Sequence, residues 1–284
     1  MSKRQKIAYQ GVPGAYSHLS CQAFCPEWEA VAYESFSNML RAVQIGECDS
    51  TMVPVENSTA GRVADIHHML PDSGLHIVAE HFQPVNHKLL AIKGATLSQI
   101  KEVHSHEQGL AQCRKKLQDL GIKPVIHSDT AGAASDVASW AEPSKGAIAS
   151  SLAADIYGLD ILIDEITDMT INTTRFLIMK KQMQTPDISS GPSHCTFVFS
   201  VRSVPAALYK ALGGFATNGI NLTKIESYMS GNQMRAAQFY VDCEGHIEHK
   251  NMQLALEELK FYCLPDAVKI LGCYPSSPHR YAAK

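Results

Sequence analysis

Gln182-Met183-Gln184-Thr185-Pro186-Asp187-Ile188-Ser189-Ser190-Gly191-Pro192-Ser193 separates two differently patterned parts of the chain. Turn formers crowd this stretch and little in it can be buried. A domain boundary therefore falls there, with one domain over 1–183 and a second over 194–284. Upstream, β-branched runs at Ile7 to Tyr9, Thr51 to Val55, Lys88 to Ile92, Pro124 to His127, Ala147 to Ala149 and Phe176 to Met179 alternate with helical spacing, which predicts parallel α/β layers. Ser37 is read as capping a helix that carries Met39, Leu40 and Val43, and Ser105 as opening one that carries Leu110, Cys113 and Leu117. Pro84, inside the extended stretch His81 to His87, marks a crossing from a first lobe (about 1–80 plus 165–183) to a second (about 85–160), with a return near Asp160 to Asp168. Two lobes joined by two crossings imply a cleft. Downstream the order becomes strand Thr196 to Val201, helix Ala206 to Phe215, strands Ile220 to Tyr228 and Met234 to Asp242, helix Met252 to Phe261 and strand Ala267 to Leu271, a ferredoxin-like βαββαβ pattern.

The 284 residues, 45% hydrophobic and 19% charged, suit a packed protein of two domains. Lys+Arg 25 against Asp+Glu 28 leaves a net charge of -3, so no global field favours nucleic acid or an anionic membrane, and small molecules are the expected partners. Met1 to Ile7 offer no apolar signal-peptide core, and no apolar run approaches the roughly 20 residues of a membrane span, so a cytoplasmic chain is expected. The eight cysteines are then expected to be reduced core thiols.

No dinucleotide fingerprint, phosphate-binding P-loop or zinc-protease helix occurs, and the histidine and cysteine pairs lack matching partners. The expectation is chemistry by side chains and backbone alone, with no metal and no cofactor. Gly11 to His18 follow the first strand into a helix, where glycines let backbone N–H groups approach an anion, though tight turns use the same residues. Glu56, Asn57 and Ser58 leave the next strand together, a place for ligands or for helix capping. Ser105, Gln108 and Gln112 fall on the first turns of a helix. Thr173, Thr174 and Arg175 precede an apolar strand and offer hydroxyls and a cation able to hold a carboxylate by two bonds.

Together these segments resemble the prephenate dehydratase family over nearly the whole chain: Gly11 to Ser17, Val53-Pro54-Val55-Glu56-Asn57-Ser58 with Gly61, Ser105-His106 with Ala111-Gln112-Cys113, Thr130 with Ala133-Ala134, Ala147-Ile148-Ala149 with Tyr157-Gly158-Leu159, and Asn172-x-Thr174-Arg175-Phe176. Glu107 stands where the family usually has Pro. The C-terminal part is similar to an ACT domain through Asn218-Gly219-Ile220-Asn221-Leu222-Thr223-Lys224-Ile225-Glu226-Ser227, with Ala206 in place of the usual Gly and Tyr228-Met229 in place of Arg-Pro.

The resemblance implies a two-lobed, periplasmic-binding-protein-like α/β catalytic domain and a regulatory ACT domain in a homodimer or homotetramer. It also implies decarboxylating dehydration of prephenate to phenylpyruvate, with L-phenylalanine as effector. Thr174, Ser105, Gln112, Asn57 and Glu56 are then the expected catalytic residues. Arg175, Thr173, Phe176, Tyr16, Ser17, Ser58 and Thr130 are expected at the substrate. Ala206, Ala207, Leu208, Asn218, Asn221, Leu222, Glu226 and Ser227 are expected at the effector. Charge flow from the departing carboxylate assigns Thr174 to donate at the leaving hydroxyl, with Glu56 or a bound water as the alternative source of the proton, and Arg175 to the carboxylate that stays. Arogenate as substrate, or ligand binding without chemistry, are the competing readings.

Overall fold

The computed structural model describes residues 4–169, 171–229 and 237–281. The first part of the chain runs β1 (Lys6–Gln10), α1 (Tyr16–Phe24), β2 (Glu29–Tyr33), α2 (Phe36–Gln44), β3 (Ser50–Asn57), β4 (Gly61–Arg62), α3 (Ala64–Met69) and β5 (His76–Pro84). A second run follows: β6 (Lys88–Ala91), β7 (Glu102–His106), α4 (Glu107–Gln112), α5 (Arg114–Asp119), β8 (Lys123–His127), α6 (Thr130–Trp140), β9 (Lys145–Ala149), α7 (Ser151–Tyr157) and β10 (Asp160–Ile163). The chain then returns through β11 (Thr173–Lys180) to the first sheet, whose order is β2-β1-β3-β11-β5 with β4 on β3. The second sheet has the order β10-β6-β9-β7-β8.

Parallel layers were expected, but the second sheet is mixed: β7 runs parallel to β8 and β9, whereas β6 is antiparallel to β9 and β10. The reason lies in the crossing. β6 enters the second sheet directly from β5 of the first, so no βαβ unit within that sheet sets its direction, whereas β7, β8 and β9 follow one another through helices and run parallel. The helix expected from Ser105 is also different. Ser105 is a buried residue of β7, His106 caps α4 by accepting from Gln108 N at 3.2 Å, and the helix breaks at Cys113. Asp168 causes the break by accepting from Lys115 N at 2.8 Å and Lys116 N at 3.0 Å, which opens a new helix start. At α2 the cap is Ser35, not Ser37: its Oγ accepts from Asn38 N at 3.2 Å, while Met39, Leu40, Ala42 and Val43 face the core.

Both glycine amides of the loop before α1 are taken up within the chain. Gly11 N donates to Tyr33 O at 2.9 Å and Gly14 N to His18 Nδ1 at 3.2 Å. Gly14 instead provides clearance, since its φ is 89° and a Cβ there would stand 2.8 Å from Ala153 Cα. Ser150 Oγ and Tyr157 OH donate to the carbonyls of Gly14 and Pro13 at 2.5 and 2.8 Å.

Beyond the linker, β12 (Ser193–Ser200), α8 (Ala207–Thr217), β13 (Leu222–Met229), β14 (Ala237–Glu244), α9 (Lys250–Tyr262) and β15 (Lys269–Pro275) form the βαββαβ order, with an antiparallel sheet β13-β14-β12-β15. Met234 to Ala236 of the expected third strand lie outside the described residues. One sheet face packs Cys195, Phe197, Phe199, Val241, Cys243 and Cys273 against Ala211, Phe215, Met252, Ala255 and Leu259 of the two helices. Among the described residues no helix is long and apolar enough to cross a membrane.

Packing divides the chain into residues 1–42, 52–62 and 82–176 on one hand, and 43–51, 63–81 and 177–284 on the other. The second unit is thus larger than the βαββαβ module: it takes in α3 and most of β5. The cause is close packing of strand β15 on β5, where a Cβ on Gly272 would stand 2.8 Å from Ile77 Cβ and press on the Ile77 carbonyl. His67 meets Tyr240 edge to face with centroids 5.1 Å apart, and the buried Glu80 takes two bonds from Arg280 at 2.6 and 2.7 Å. Gly272→Ala is expected to destabilise this unit by about 1–3 kcal/mol through overpacking. Gly213→Ala, in α8 with open space at its Cβ, is expected to be neutral or stabilising by about 0.5–1 kcal/mol. Thermal unfolding of the two variants checks the contrast, which an unchanged midpoint for Gly272→Ala refutes.

Candidate active site

Asn57 ends β3 at a tight turn into β4, and the polar groups of the first unit converge on it. Its Oδ1 accepts from the backbone amides of Thr59 (3.0 Å) and Ala60 (2.8 Å) and from the Thr59 hydroxyl (2.7 Å). Backbone N–H groups can only donate, so these bonds fix which end of the carboxamide is oxygen. Asn57 Nδ2 therefore donates, to Asn172 Oδ1 at 2.7 Å and to Thr174 Oγ1 at 2.9 Å. Asn172 in turn donates from Nδ2 to Gln112 Oε1 at 2.8 Å, and Gln112 from Nε2 to Thr59 Oγ1 at 2.6 Å. His87 Nε2 lies 2.9 Å from the same Gln112 Oε1 and must carry a hydrogen. Its Nδ1 then accepts from the Tyr16 hydroxyl at 3.1 Å. A continuous chain of bonds links Tyr16 to Thr174, and within it Thr174 Oγ1 accepts, so its own proton is not consumed.

Burial pushes the His87 imidazole down to about 4, with the bond to Gln112 opposing the shift, so the ring is neutral at neutral pH. Burial likewise pushes the Tyr16 phenol up, keeping it a donor.

Elements rather than chance bring these groups together. β3 and β11 are neighbours, and Ser58 N to Thr173 O (2.9 Å) with Thr173 N to Ser58 Oγ (3.0 Å) continues their pairing past Asn57. Gln112 is the last residue of α4, its carbonyl accepts from Asp168 N at 2.8 Å, and the helix break at Cys113 sets the direction of its side chain. Beside these groups lies a cavity of about 320 Å³ lined by Thr59, Ala60, Gln108, Ala111, Gln112, Thr167, Asp168, Met169 and Asn172. Among the described residues no group of three or more His, Cys, Asp or Glu is placed to hold a metal.

Of the expected catalytic and substrate residues, Asn57, Thr174, Gln112 and Tyr16 join one network, with Ser58 and Thr173 paired beside it. Ser105 and Thr130 lie nearby, since a Cβ on Gly109 would be 3.0 Å from Ser105 Oγ, 3.6 Å from Thr130 Cγ2 and 3.6 Å from His87 Nε2. The Ser105 hydroxyl, however, is fully buried and donates to Ile148 O at 2.6 Å. Arg175 is 2% exposed and its Nη1 donates to Glu56 Oε1 at 2.9 Å; like Asn57 and Thr174, neither residue is among those lining this cavity, which the network reaches through Thr59, Gln112 and Asn172. Phe176 is core, and Ser17 is buried on α1. Thr59, His87 and Asp168 are not singled out by the sequence as site residues. His87 carried one signal, its place three residues after Pro84 in the crossing.

The expected effector residues fall at opposite ends of α8. Ala206, in left-handed backbone at φ 60°, lines a cavity of about 530 Å³ with Ala207, Leu208 and the rest of Val201 to Tyr209. Asn218 caps the other end, donating to Gly214 O at 2.7 Å, and Asn221 Nδ2 donates to Glu244 Oε2 at 3.2 Å. Leu222 packs on the core, Glu226 is 3.8 Å from Lys224, and Ser227 pairs with Phe239 along β13.

The prephenate dehydratase family model matches residues 7–184. A bifunctional N-acyl-homoserine lactone acylase/prephenate dehydratase of Komagataeibacter europaeus is 45% identical, covering 99% of each chain. Arogenate dehydratase/prephenate dehydratase 1 of Arabidopsis thaliana is 39% identical over 95% of this chain and 72% of its own length. Among solved structures, GqqA, described as a novel type of quorum quenching acylase, superposes with a TM-score of 0.91 at 45% identity, covering 97% of this chain and 100% of its own. The prephenate dehydratase of Arthrobacter aurescens in complex with L-Phe gives 0.87 at 27% identity, covering 95% and 90%. A matched family model over well more than half of the chain, and a full-length relative of such identity, establish that the chain belongs to the prephenate dehydratase family.

Proposed function

We propose that the protein is a prephenate dehydratase, which releases carbon dioxide from one ring carbon of prephenate, leaving the bonding pair to the ring, and hydroxide, protonated to water, from the opposite carbon to give phenylpyruvate. In this reading residues 1–183 are the two-lobed catalytic domain. Residues 194–284 are an ACT domain that responds to L-phenylalanine at the Ala206 cavity and joins the chains into a homodimer or homotetramer. The observation that carries it is the Thr174 hydroxyl, fixed by the Asn57 donor at 2.9 Å and left with its proton to give. Hydroxide is a poor leaving group, so a donor aimed at it gains strength as the bond breaks, where a bond formed equally in the ground state adds nothing to kcat. The Asn57 donor also favours the developing negative charge on Thr174 Oγ1 as the proton departs.

Arogenate is the second reading. The residues lining the cavity include no Lys or Arg but do include one carboxylate, Asp168, which suits the ammonium of arogenate better than the keto group of prephenate. Its two bonds from helix amides temper that charge. The acylase named for the Komagataeibacter relative belongs in the same assay, although no serine or cysteine lines this cavity.

Purified protein supplied separately with prephenate, arogenate and an N-acyl-homoserine lactone, with and without L-phenylalanine, is expected to form phenylpyruvate fastest. Absence of product from both ring substrates refutes the dehydratase reading. Thr174→Val should keep the fold and lower kcat by about 100-fold or more; near-normal turnover removes Thr174 from the reaction. Arg175, expected to clamp a carboxylate, is read here as a strut that holds β11 to β3 through Glu56. Arg175→Lys should then lower the unfolding midpoint and kcat while KM stays within about twofold. A several-fold rise in KM at unchanged stability restores the clamp.

A further inference from the structure

We propose that His87 is a positioning residue for this reaction: its Nε2–H, selected by the Gln112 oxygen it donates to and complemented by the Tyr16 hydroxyl at Nδ1, holds the Gln112 carboxamide with its NH2 turned to Thr59. The inference rests on the dehydratase reading. His87 lies in the crossing between the two sheets of the first unit, and the return segment secures it there. Ile166 N donates to the His87 carbonyl at 3.2 Å, and Val85 N to Asn172 O at 2.8 Å. The ring is 3% exposed and both its nitrogens are engaged, one by Tyr16 and one by Gln112. α4 packs beside the ring, with the Cβ position of Gly109 in ordinary van der Waals contact at 3.6 Å from Nε2.

The polarity argument makes one tautomer necessary. Were the proton on Nδ1, a lone pair on Nε2 would face the Gln112 oxygen and favour a flipped carboxamide. The flipped NH2 would then meet the Asn172 NH2, whose orientation Asn57 has already set, and two donors would oppose each other at 2.8 Å. The flipped oxygen would face a Thr59 hydroxyl already donating to Asn57. Burial holds the imidazole neutral, which leaves Nδ1 able to accept from Tyr16. His87 does not line the cavity, so its effect passes through Gln112, which does.

Nitrogen-15 correlation spectra of the full-length protein should show His87 neutral and protonated on Nε2, with Gln112→Ala, which removes the oxygen that selects this tautomer, weakening the preference. His87→Phe should lower kcat about tenfold or more with KM within about threefold, and His87→Gln, which can place an N–H near the Nε2 position, should recover most of the loss. In a Gln112→Ala background His87→Phe should add less than about twofold, because the two residues act as one unit. A full additional loss in that background, a proton on Nδ1 in the unmodified protein, or a tautomer indifferent to Gln112→Ala overturns the proposal. If the unmodified protein converts neither prephenate nor arogenate, the dehydratase reading falls, and the positioning of His87 for that reaction falls with it. The spectra still decide separately whether Gln112 selects the tautomer. If His87→Phe does not fold, the Gln112→Ala spectrum and His87→Gln kinetics decide.

Discussion

Two peptide N–H groups, those of Thr59 and Ala60, set the polarity of the whole site by donating into one oxygen of Asn57. Amide side chains are nearly symmetric in shape, and a network of them has two self-consistent arrangements of opposite sense unless something that can only donate breaks the tie. Here the backbone turn breaks it. Asn172, Gln112 and His87 inherit their orientations one after another, and Thr174 ends as an acceptor with a proton in hand. Such a network serves a reaction that moves a proton to a leaving oxygen, because nothing has to reorganise when the charge develops.

Much of this was legible in the sequence, and the reasons differ by residue. Asn57 and Thr174 stood out through the resemblance to the family, since a polar cluster at the end of an apolar strand is read as readily as a helix cap. The βαββαβ order was readable because its helical and strand periods alternate cleanly over 194–284. The break at Cys113 was not readable, since it is made by Asp168, a residue more than fifty positions away, and local spacing from Leu110 to Leu117 favours an unbroken helix. Arg175 suggested a ligand clamp by its chemistry, but alternation along β11 turns it toward Glu56 and away from the face that carries Thr174. His87 had only its place after Pro84 to mark it, and a lone histidine in an extended crossing looks like any other.

Compactness and ancestry draw the map of the chain differently. The matched family segment ends at 184, near the turn-rich linker, while packing assigns α3 and most of β5 to the same unit as the βαββαβ module. The contact of Gly272 with Ile77 and the fork of Arg280 on Glu80 are backbone-close and desolvated, and such contacts are dismantled only at a cost comparable to local unfolding.

The interrupted helix between Gln112 and Arg114 has a mechanical meaning. Because Asp168 grips the amides at the start of α5 while its own N–H holds the Gln112 carbonyl, the segment around 167–169 behaves as a handle on the carboxamide four bonds further along. Whatever rests against Thr167 or Met169 therefore leans on the same backbone that carries the side chain Tyr16 and His87 hold from the other end.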